Sequence, residues 1–283
     1  MSRFSYVNGS YCEHRDSFVH IEDRGYQFAD GVYEVFAVIN EKIVDFDGHL
    51  NRLFRSLDEI SLKSPIVKEA YLFHIRNLIN KNKIKDGLIY LQISRGVAQR
   101  DFKFPKNVKP SIVITAKSSS MDYYYSKFNS GIKVKTTEDL RWKRVDIKTL
   151  NLLPPVLAKQ KAVENGCEEA WMIDSDGYIT EGSSSNAWIL IEDKLITTPA
   201  TTSILKGITR TSLINSLKKE SIKLIEKRFN KKDIKTANEA FITSATQFVM
   251  PVVKVDDILI GNGKVGKYAH IFKDAYMEAI QLK

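Results

Sequence analysis

Apolar residues in the first half of the chain follow two different periods, and that mixture is what most limits its fold. Leu50, Leu53, Phe54, Leu57 and Ile60 recur at helical spacing behind Asp47, which can cap them, so residues 49–60 read as an amphipathic helix. A second helix is expected over 67–80. Around them, residues 31–39, 88–94 and 111–116 are rich in β-branched and aromatic types, the composition of strands. The first half is therefore mixed α/β.

The run Lys117-Ser118-Ser119-Ser120-Met121-Asp122, followed by three tyrosines, is the most linker-like stretch of the chain. A boundary there gives a smaller N-terminal α/β domain over 1–117, a linker over 118–130 and a larger C-terminal α/β domain over 131–283. Two domains also suit a length of 283 residues. The second half is expected to hold strands at 132–136 and 145–150, a helix after Pro154-Pro155 and a hairpin turning at Asp174-Ser175-Asp176-Gly177. Helices at 209–220 and 266–281 complete it. No internal repeat is visible, which argues against solenoids and propellers.

A formal charge of +9 raises the question of nucleic acid. The lysines are interleaved with acids, as in Lys231-Lys232-Asp233 and Lys218-Lys219-Glu220, and no basic run resembles a nucleic-acid arm. The expectation is no nucleic-acid partner, with a positive field that helps gather anionic small molecules. Cys12 and Cys167 stand far apart in neither metal-ligand nor redox spacing, so no metal is expected and a reduced, cytoplasmic compartment is favoured. The first residues lack an apolar signal-like core, and no run of ~20 apolar residues appears, so the chain is read as soluble, without membrane association.

Lys148 lies in the alternating run Val145-Asp146-Ile147-Lys148-Thr149-Leu150, where a period of two sets it on the face opposite Val145 and Ile147. A lysine amine is a nucleophile only when uncharged, and partial desolvation favours that form. A lone lysine is ordinarily a surface residue; what singles this one out is its company. Glu181 follows Tyr178-Ile179-Thr180 and precedes Gly182-Ser183-Ser184-Ser185-Asn186, a turn of hydroxyls and amides suited to holding a pyridine ring whose nitrogen needs a carboxylate. The alternative for Glu181 is a solvated turn residue. Gly207-Ile208-Thr209-Arg210 opens a helix, and Ile208 and Thr209 suit a phosphate there. Thr243-Ser244-Ala245-Thr246 offers a second small-hydroxyl turn. Arg52 and Arg55 sit about one turn apart on the first helix, so either can face inward as a bidentate phosphate donor, or both can be solvated.

These residues lie in four segments that resemble the class IV, or fold type IV, aminotransferases, and within them the D-amino acid aminotransferases. The segments are DRGYQFADGVYE from Asp23, LRWKRVDIKTLNLLPPVLAKQ from Leu140, ITEGSSSNAW from Ile179 and ILKGITR from Ile204. The resemblance implies a two-domain α/β enzyme of fold type IV with pyridoxal 5′-phosphate between the domains, working as a homodimer. It implies that Lys148 holds the cofactor as a Schiff base and that Glu181 faces its pyridine nitrogen. Arg52, Ile208 and Thr209, with the turn Ser244-Ala245-Thr246, are implied as phosphate ligands, and Leu205 as the support of the ring. A family threonine at that turn is Ala245 here, which leaves a backbone N–H as the donor.

The resemblance further implies a substrate-carboxylate site of Tyr33 and an Arg-x-His motif reaching in from the neighbouring subunit. Arg100 matches the arginine, but Phe102 stands where the histidine is expected, replacing a hydrogen-bond donor by a ring. The implied activity is ping-pong amino transfer between D-amino acids such as D-alanine or D-glutamate and 2-oxo acids such as pyruvate or 2-oxoglutarate. The same fold and lysine also serve branched-chain L-amino acid aminotransferases, amine transaminases and aminodeoxychorismate lyase. A nucleic-acid-binding protein with a degenerate cofactor site is disfavoured by the intact Lys148, Glu181 and ILKGITR.

Overall fold

The structure, a computed structural model, describes residues 3–217 and 222–281. It divides into two compact units, one of residues 1–120 with 147–151 and the other of 121–146 with 152–283.

In the first unit, β1 (Phe4–Val7), β2 (Ser10–Glu13), β3 (Gly31–Ile39), β4 (Lys42–Ile43), β5 (Gly87–Ser94) and β6 (Ser111–Ser118) form a sheet in the order β2-β1-β6-β5-β3-β4. Every pairing is antiparallel, and β3 runs against β5 from Gly31 opposite Ser94 to Val38 opposite Gly87. Alternate residues Ile89, Leu91 and Ile93 of β5 point into the core, as the two-residue period of a strand requires. After the short α1 (Arg24–Phe28), the helices α2 (Phe46–Glu59) and α3 (Lys68–Asn82) supply Leu50, Leu53 and Leu57 and then Tyr71, Ile75 and Leu78 to the same core. Each fully buried leucine is worth about 1.5–3 kcal/mol. Both expected helices thus form, the first where its periodicity placed it. Asp47, expected as the cap of α2, lies instead in its first turn, where a carboxylate suits the positive end of the helix dipole, and Asp45 holds the N-cap position.

The second unit contains β7 (Ile132–Glu138), β8 (Glu169–Ile173), β9 (Tyr178–Gly182), β10 (Asn186–Ile191), β11 (Lys194–Thr197), β12 (Lys223–Glu226), β13 (Phe229–Asn230), β14 (Glu239–Ser244), β15 (Phe248–Val255) and β16 (Ile258–Leu259). Their sheet runs β12-β11-β10-β14-β15-β7-β8-β9-β13, with β16 beside β15. It is mixed: β7 lies parallel to both β15 and β8, while β9 returns antiparallel through the turn expected at 174–177. Gly177 closes that turn at φ +86°, in the left-handed region that glycine tolerates without a Cβ penalty. The helices are α4 (Met121–Ser130), α5 (Leu153–Glu164), α6 (Ile208–Ser216), α7 (Lys231–Lys235) and α8 (Lys267–Gln281). The expected helix over 209–220 is thus α6, and its residues 218–220 lie outside the described residues.

Two further expectations differ from the structure. Most of the expected linker, 118–130, is α4: Tyr124 and Phe128, four residues apart, are both buried, and the Tyr124 hydroxyl donates to the Val249 carbonyl at 3.0 Å. A serine-rich lead-in and a cluster of tyrosines conceal a helical stripe. The expected strand over 145–150 is not formed. Its last residues belong to the first unit, where only an isolated bridge joins Thr149 to Val32. Among the described residues no helix is long and apolar enough to cross a membrane.

Candidate active site

Lys148 is fixed through its backbone to the start of β3. The Tyr33 N–H donates to the Lys148 carbonyl at 3.0 Å, and the Leu150 N–H donates to the Gly31 carbonyl at 3.1 Å. The Lys148 N–H reaches Ser56 Oγ on α2 at 3.4 Å. Ile147 is buried in the core of the unit, which anchors the segment, and Lys148 is half-buried. Its Nζ lies 4.2 Å from the centroid of the Tyr33 ring, which stacks on Tyr90 at 5.7 Å. The structure therefore brings Lys148 and Tyr33 together, by a bridge to β3 rather than by the strand alternation expected for 145–150.

Arg52 is the inward-facing arginine of α2, and Arg55 the exposed one. Its Nε and Nη2 each donate at 2.7 Å to Glu34, which also accepts from His49 Nδ1 at 2.7 Å. Burial alone would raise the Glu34 carboxyl, but Arg52 and His49 outweigh it and hold it down at about 2. Burial likewise depresses His49, against the pull of Glu34. The phosphate-donor expectation for Arg52 leaves out Glu34 and His49, although Glu34 closes the segment DRGYQFADGVYE and His49 lies three residues before Arg52.

Arg100 is exposed, with its guanidinium 4.6 Å from the Phe28 ring and 5.8 Å from the Phe102 ring. Arg24 covers Phe28 at 4.5 Å, while its Nε donates to Asp30 at 2.8 Å and its Nη1 to the Asp101 carbonyl at 2.6 Å. Phe102, 84% exposed, touches Phe28 edge-on at 5.6 Å. Where a histidine was expected, this unit presents an aromatic surface beside a cation.

In the second unit Glu181, the penultimate residue of β9, is a buried hub. One oxygen accepts from Arg141 Nη1 and from the Leu205 N–H at 3.0 Å; the other accepts from the Asn186 amide at 2.9 Å. The same amide donates to the Leu205 carbonyl at 2.9 Å, so Leu205 is tied to Glu181 twice. Burial raises the Glu181 carboxyl above its ordinary value, and the Arg141 charge offsets only part of the rise. The hydroxyls of Ser183, Ser184 and Ser185 all donate to the buried Glu169 carboxylate. Those hydroxyls hold the turn.

Gly207 caps α6, whose first residues are Ile208 and the buried Thr209; helical geometry gives their N–H groups no acceptor within the helix. A Cβ on Gly207 would overlap Asn186 Oδ1, so the start of α6 and the Glu181 hub are packed against one another. At the end of β14, Ser244 Oγ accepts from the Gln247 N–H at 3.1 Å and lies 3.3 Å from Thr246 Oγ1, with Ala245 half-buried between them. A buried carboxylate beside unpaired helix N–H groups is a donor set that fits a pyridine ring bearing a phosphate. Arg141 and Asn186 stand within two of the segments quoted above, but their part, like that of Asp139, emerges only when the loop after β7 and the start of β10 meet at Glu181.

Residues 31–255 match the family model for amino-transferase class IV. The chain is 37% identical over 273 residues to the D-alanine aminotransferase of Bacillus licheniformis, covering 96% of this chain and 95% of that protein. It is 38% identical over 278 residues to the D-alanine aminotransferase of Staphylococcus haemolyticus, covering 98% and 97%. Among solved structures, the branched-chain amino acid aminotransferase of Escherichia coli superimposes with a TM-score of 0.93 at 22% identity, over 99% of this chain and 95% of that one. The branched-chain aminotransferase of the thermophilic archaeon Thermoproteus uzoniensis, solved with norvaline, scores 0.87 at 22% identity, over 99% and 96%. The structural likenesses show the fold alone; with the family model and the near full-length relatives, they establish that this chain belongs to the class IV aminotransferases, enzymes that depend on pyridoxal 5′-phosphate.

Proposed function

We propose that the chain moves the amino group of a D-amino acid to a 2-oxo acid in two half-reactions. The observation that carries this reading is identity of 37–38% to D-alanine aminotransferases across nearly their whole length, whereas the two branched-chain enzymes share the fold at 22% identity. D-Alanine or D-glutamate with pyruvate or 2-oxoglutarate is the substrate class proposed.

Bound pyridoxal 5′-phosphate supplies an electron sink that stabilises negative charge developing at the substrate Cα. The chain's own residues do the rest. Lys148 would hold the cofactor through its Nζ, and once the donor's amine had displaced that bond the freed Nζ would carry the proton taken from the donor Cα; the Tyr33 ring 4.2 Å from Nζ limits where the amine can swing. Glu181 would hold the ring nitrogen and its proton, and Leu205, tied to Glu181, would support the ring. Ile208 and Thr209 offer backbone N–H groups to the phosphate, with Ser244, Ala245 and Thr246 on a second turn and Arg52 as the fixed cation. Tyr33 and Arg100 bind the substrate carboxylate, Arg100 acting in the neighbouring copy of a homodimer. A cytoplasmic location suits two cysteines that are not paired with each other.

The test is a pair of half-reactions on purified, cofactor-loaded protein, followed by the absorbance of the bound cofactor, with Lys148→Ala as control. Conversion by D-alanine and not L-leucine, abolished in the variant, supports the proposal. Conversion by L-leucine alone would move the assignment to branched-chain substrates, and conversion by neither would direct attention to the lyase reaction. Light scattering at twice the chain mass checks the dimer.

A further inference from the structure

We propose that Asp139 is a positioning residue for amino transfer: by gripping Arg141 it fixes the guanidinium that governs how strongly Glu181 holds the ring-nitrogen proton. The inference rests on the reading of Glu181 given above and extends it by one shell of residues.

The geometry begins at the end of β7. The Asp139 N–H donates to the Ile173 carbonyl at 2.8 Å, continuing the β7–β8 ladder by one step and pinning the backbone that carries the carboxylate. That carboxylate accepts four hydrogen bonds. Oδ1 takes the Arg141 N–H at 3.1 Å and Arg141 Nε at 2.8 Å; Oδ2 takes Arg141 Nη2 at 2.7 Å and Thr180 Oγ1 at 2.7 Å. Thr180 immediately precedes Glu181 on β9, so Asp139 is bonded both to the strand that carries Glu181 and to the arginine that neutralises it. The bidentate grip on Nε and Nη2 leaves Nη1 as the arm of the fork that reaches Glu181.

The charges explain why the grip matters. Asp139, Arg141 and Glu181 form a buried row of two carboxylates around one guanidinium, with side chains 10%, 7% and 6% exposed. Such a row carries one negative charge more than positive. It would therefore stabilise a protonated ring nitrogen held by Glu181. With Asp139 neutral, the whole guanidinium charge falls to Glu181. The row is then balanced without the proton, and Glu181 becomes a poorer partner for it. Little water screens these groups, so the redistribution acts at close range and in low dielectric. The directions agree: Arg141 holds Asp139 low despite its burial, while Glu181 stays high, with Asp139 among the groups that push it up.

The test uses holoenzyme loaded with cofactor labelled with nitrogen-15 at the ring, in the wild type and in Asp139→Asn, Asp139→Glu and Glu181→Gln. The ring-nitrogen chemical shift is read alongside kcat and KM. The expected result is a shift in Asp139→Asn toward the unprotonated value, with kcat down on the order of tenfold and KM changed less. Asp139→Glu, which restores charge on a longer stem, should lie between that variant and the wild type. A folded Asp139→Asn protein with the wild-type shift, while Glu181→Gln moves it, overturns the role of Asp139 and leaves that of Glu181 intact. A wild-type shift in Glu181→Gln overturns both. If Asp139→Asn does not fold, Asp139→Glu decides alone: a partial shift supports the proposal and a wild-type shift overturns it.

Discussion

Arg52 is clamped to Glu34 by two hydrogen bonds of 2.7 Å, from Nε to Oε1 and from Nη2 to Oε2, midway along the helix that packs on β3. Glu34 is fully buried and His49 shares one of its oxygens. Removing one partner from a buried pair leaves the other charge uncompensated, at a cost of about 3–5 kcal/mol. Glu34→Gln keeps the shape and removes the charge, so the urea midpoint of the apo protein should fall accordingly. A change of less than ~1 kcal/mol would mean that Arg52 finds another acceptor at little cost.

The same cluster sets an acid limit. The Glu34 carboxyl is held at about 2 in the folded chain, below its ordinary 4.5, so the stability it contributes is complete above its unfolded value. That stability is lost as pH falls from about 4.5 toward 2, to a total on the order of a few kcal/mol. His49 is depressed by burial, and its own share begins to be lost at higher pH, as the pH drops below the 6.5 of an ordinary histidine. Denaturation followed at pH 7, 5 and 3 should show a progressive loss that Glu34→Gln flattens in its lower part. Equal slopes in the two proteins would contradict the assignment.

Lys148→Ala should separate chemistry from folding. The residue is half-buried, and its Nζ lies over the Tyr33 ring at 4.2 Å, a contact worth ~0.5–1 kcal/mol at an accessible site. The melting temperature of the apo protein should barely move, while amino transfer falls by at least the 10²–10⁴-fold, roughly, that a positioned proton carrier supplies. A variant that retained amino transfer would remove Lys148 from its proposed role.

Phe102 lies beside Arg100 and Phe28 with most of its surface in solvent. Phe102→His adds a donor near the guanidinium without altering a buried core. One additional hydrogen bond of about 0.5–1.5 kcal/mol lowers KM for the D-amino acid by roughly two- to tenfold, with kcat little changed. An unchanged KM would show that the carboxylate does not reach position 102.

Most of the first unit was legible because its core residues repeat locally. The five apolar positions of α2 and the β-branched runs of β3, β5 and β6 declare their periods within a dozen residues, and the elements formed where those periods placed them. The segment carrying Lys148 was not, because its alternation is too short to distinguish a strand from an extended loop anchored by Ile147 and one bridge. The serine run before α4 hides a helix because the burial of Tyr124 and Phe128 that stabilises it depends on β15, more than a hundred residues away. In the candidate site, the side chains proposed to act directly stand in motifs. Their holders were not legible, because the contacts of Glu34 with Arg52 and of Glu169 with three serines are made across elements, and Asp139 reaches Arg141 and Thr180 only once β7 and β9 are in place.

Gly207 joins two parts of the second unit that stand apart in the sequence. Its missing side chain lets the start of α6 lie against Asn186, whose amide holds both Glu181 and the Leu205 carbonyl. Gly207→Ala would drive a Cβ into Asn186 Oδ1, so either the helix start or the amide must retreat. Overpacking of this kind costs about 1–3 kcal/mol. The physical consequence is specific, because displacement of Asn186 frees one oxygen of Glu181 and displacement of the helix moves the N–H groups of Ile208 and Thr209. The variant should therefore bind pyridoxal 5′-phosphate more weakly by about five- to a hundredfold, equivalent to the strain at roughly 1.4 kcal/mol per decade. Equilibrium titration of the apo variant with the cofactor measures this directly, and wild-type affinity would show that the contact between Gly207 and Asn186 is not coupled to cofactor binding.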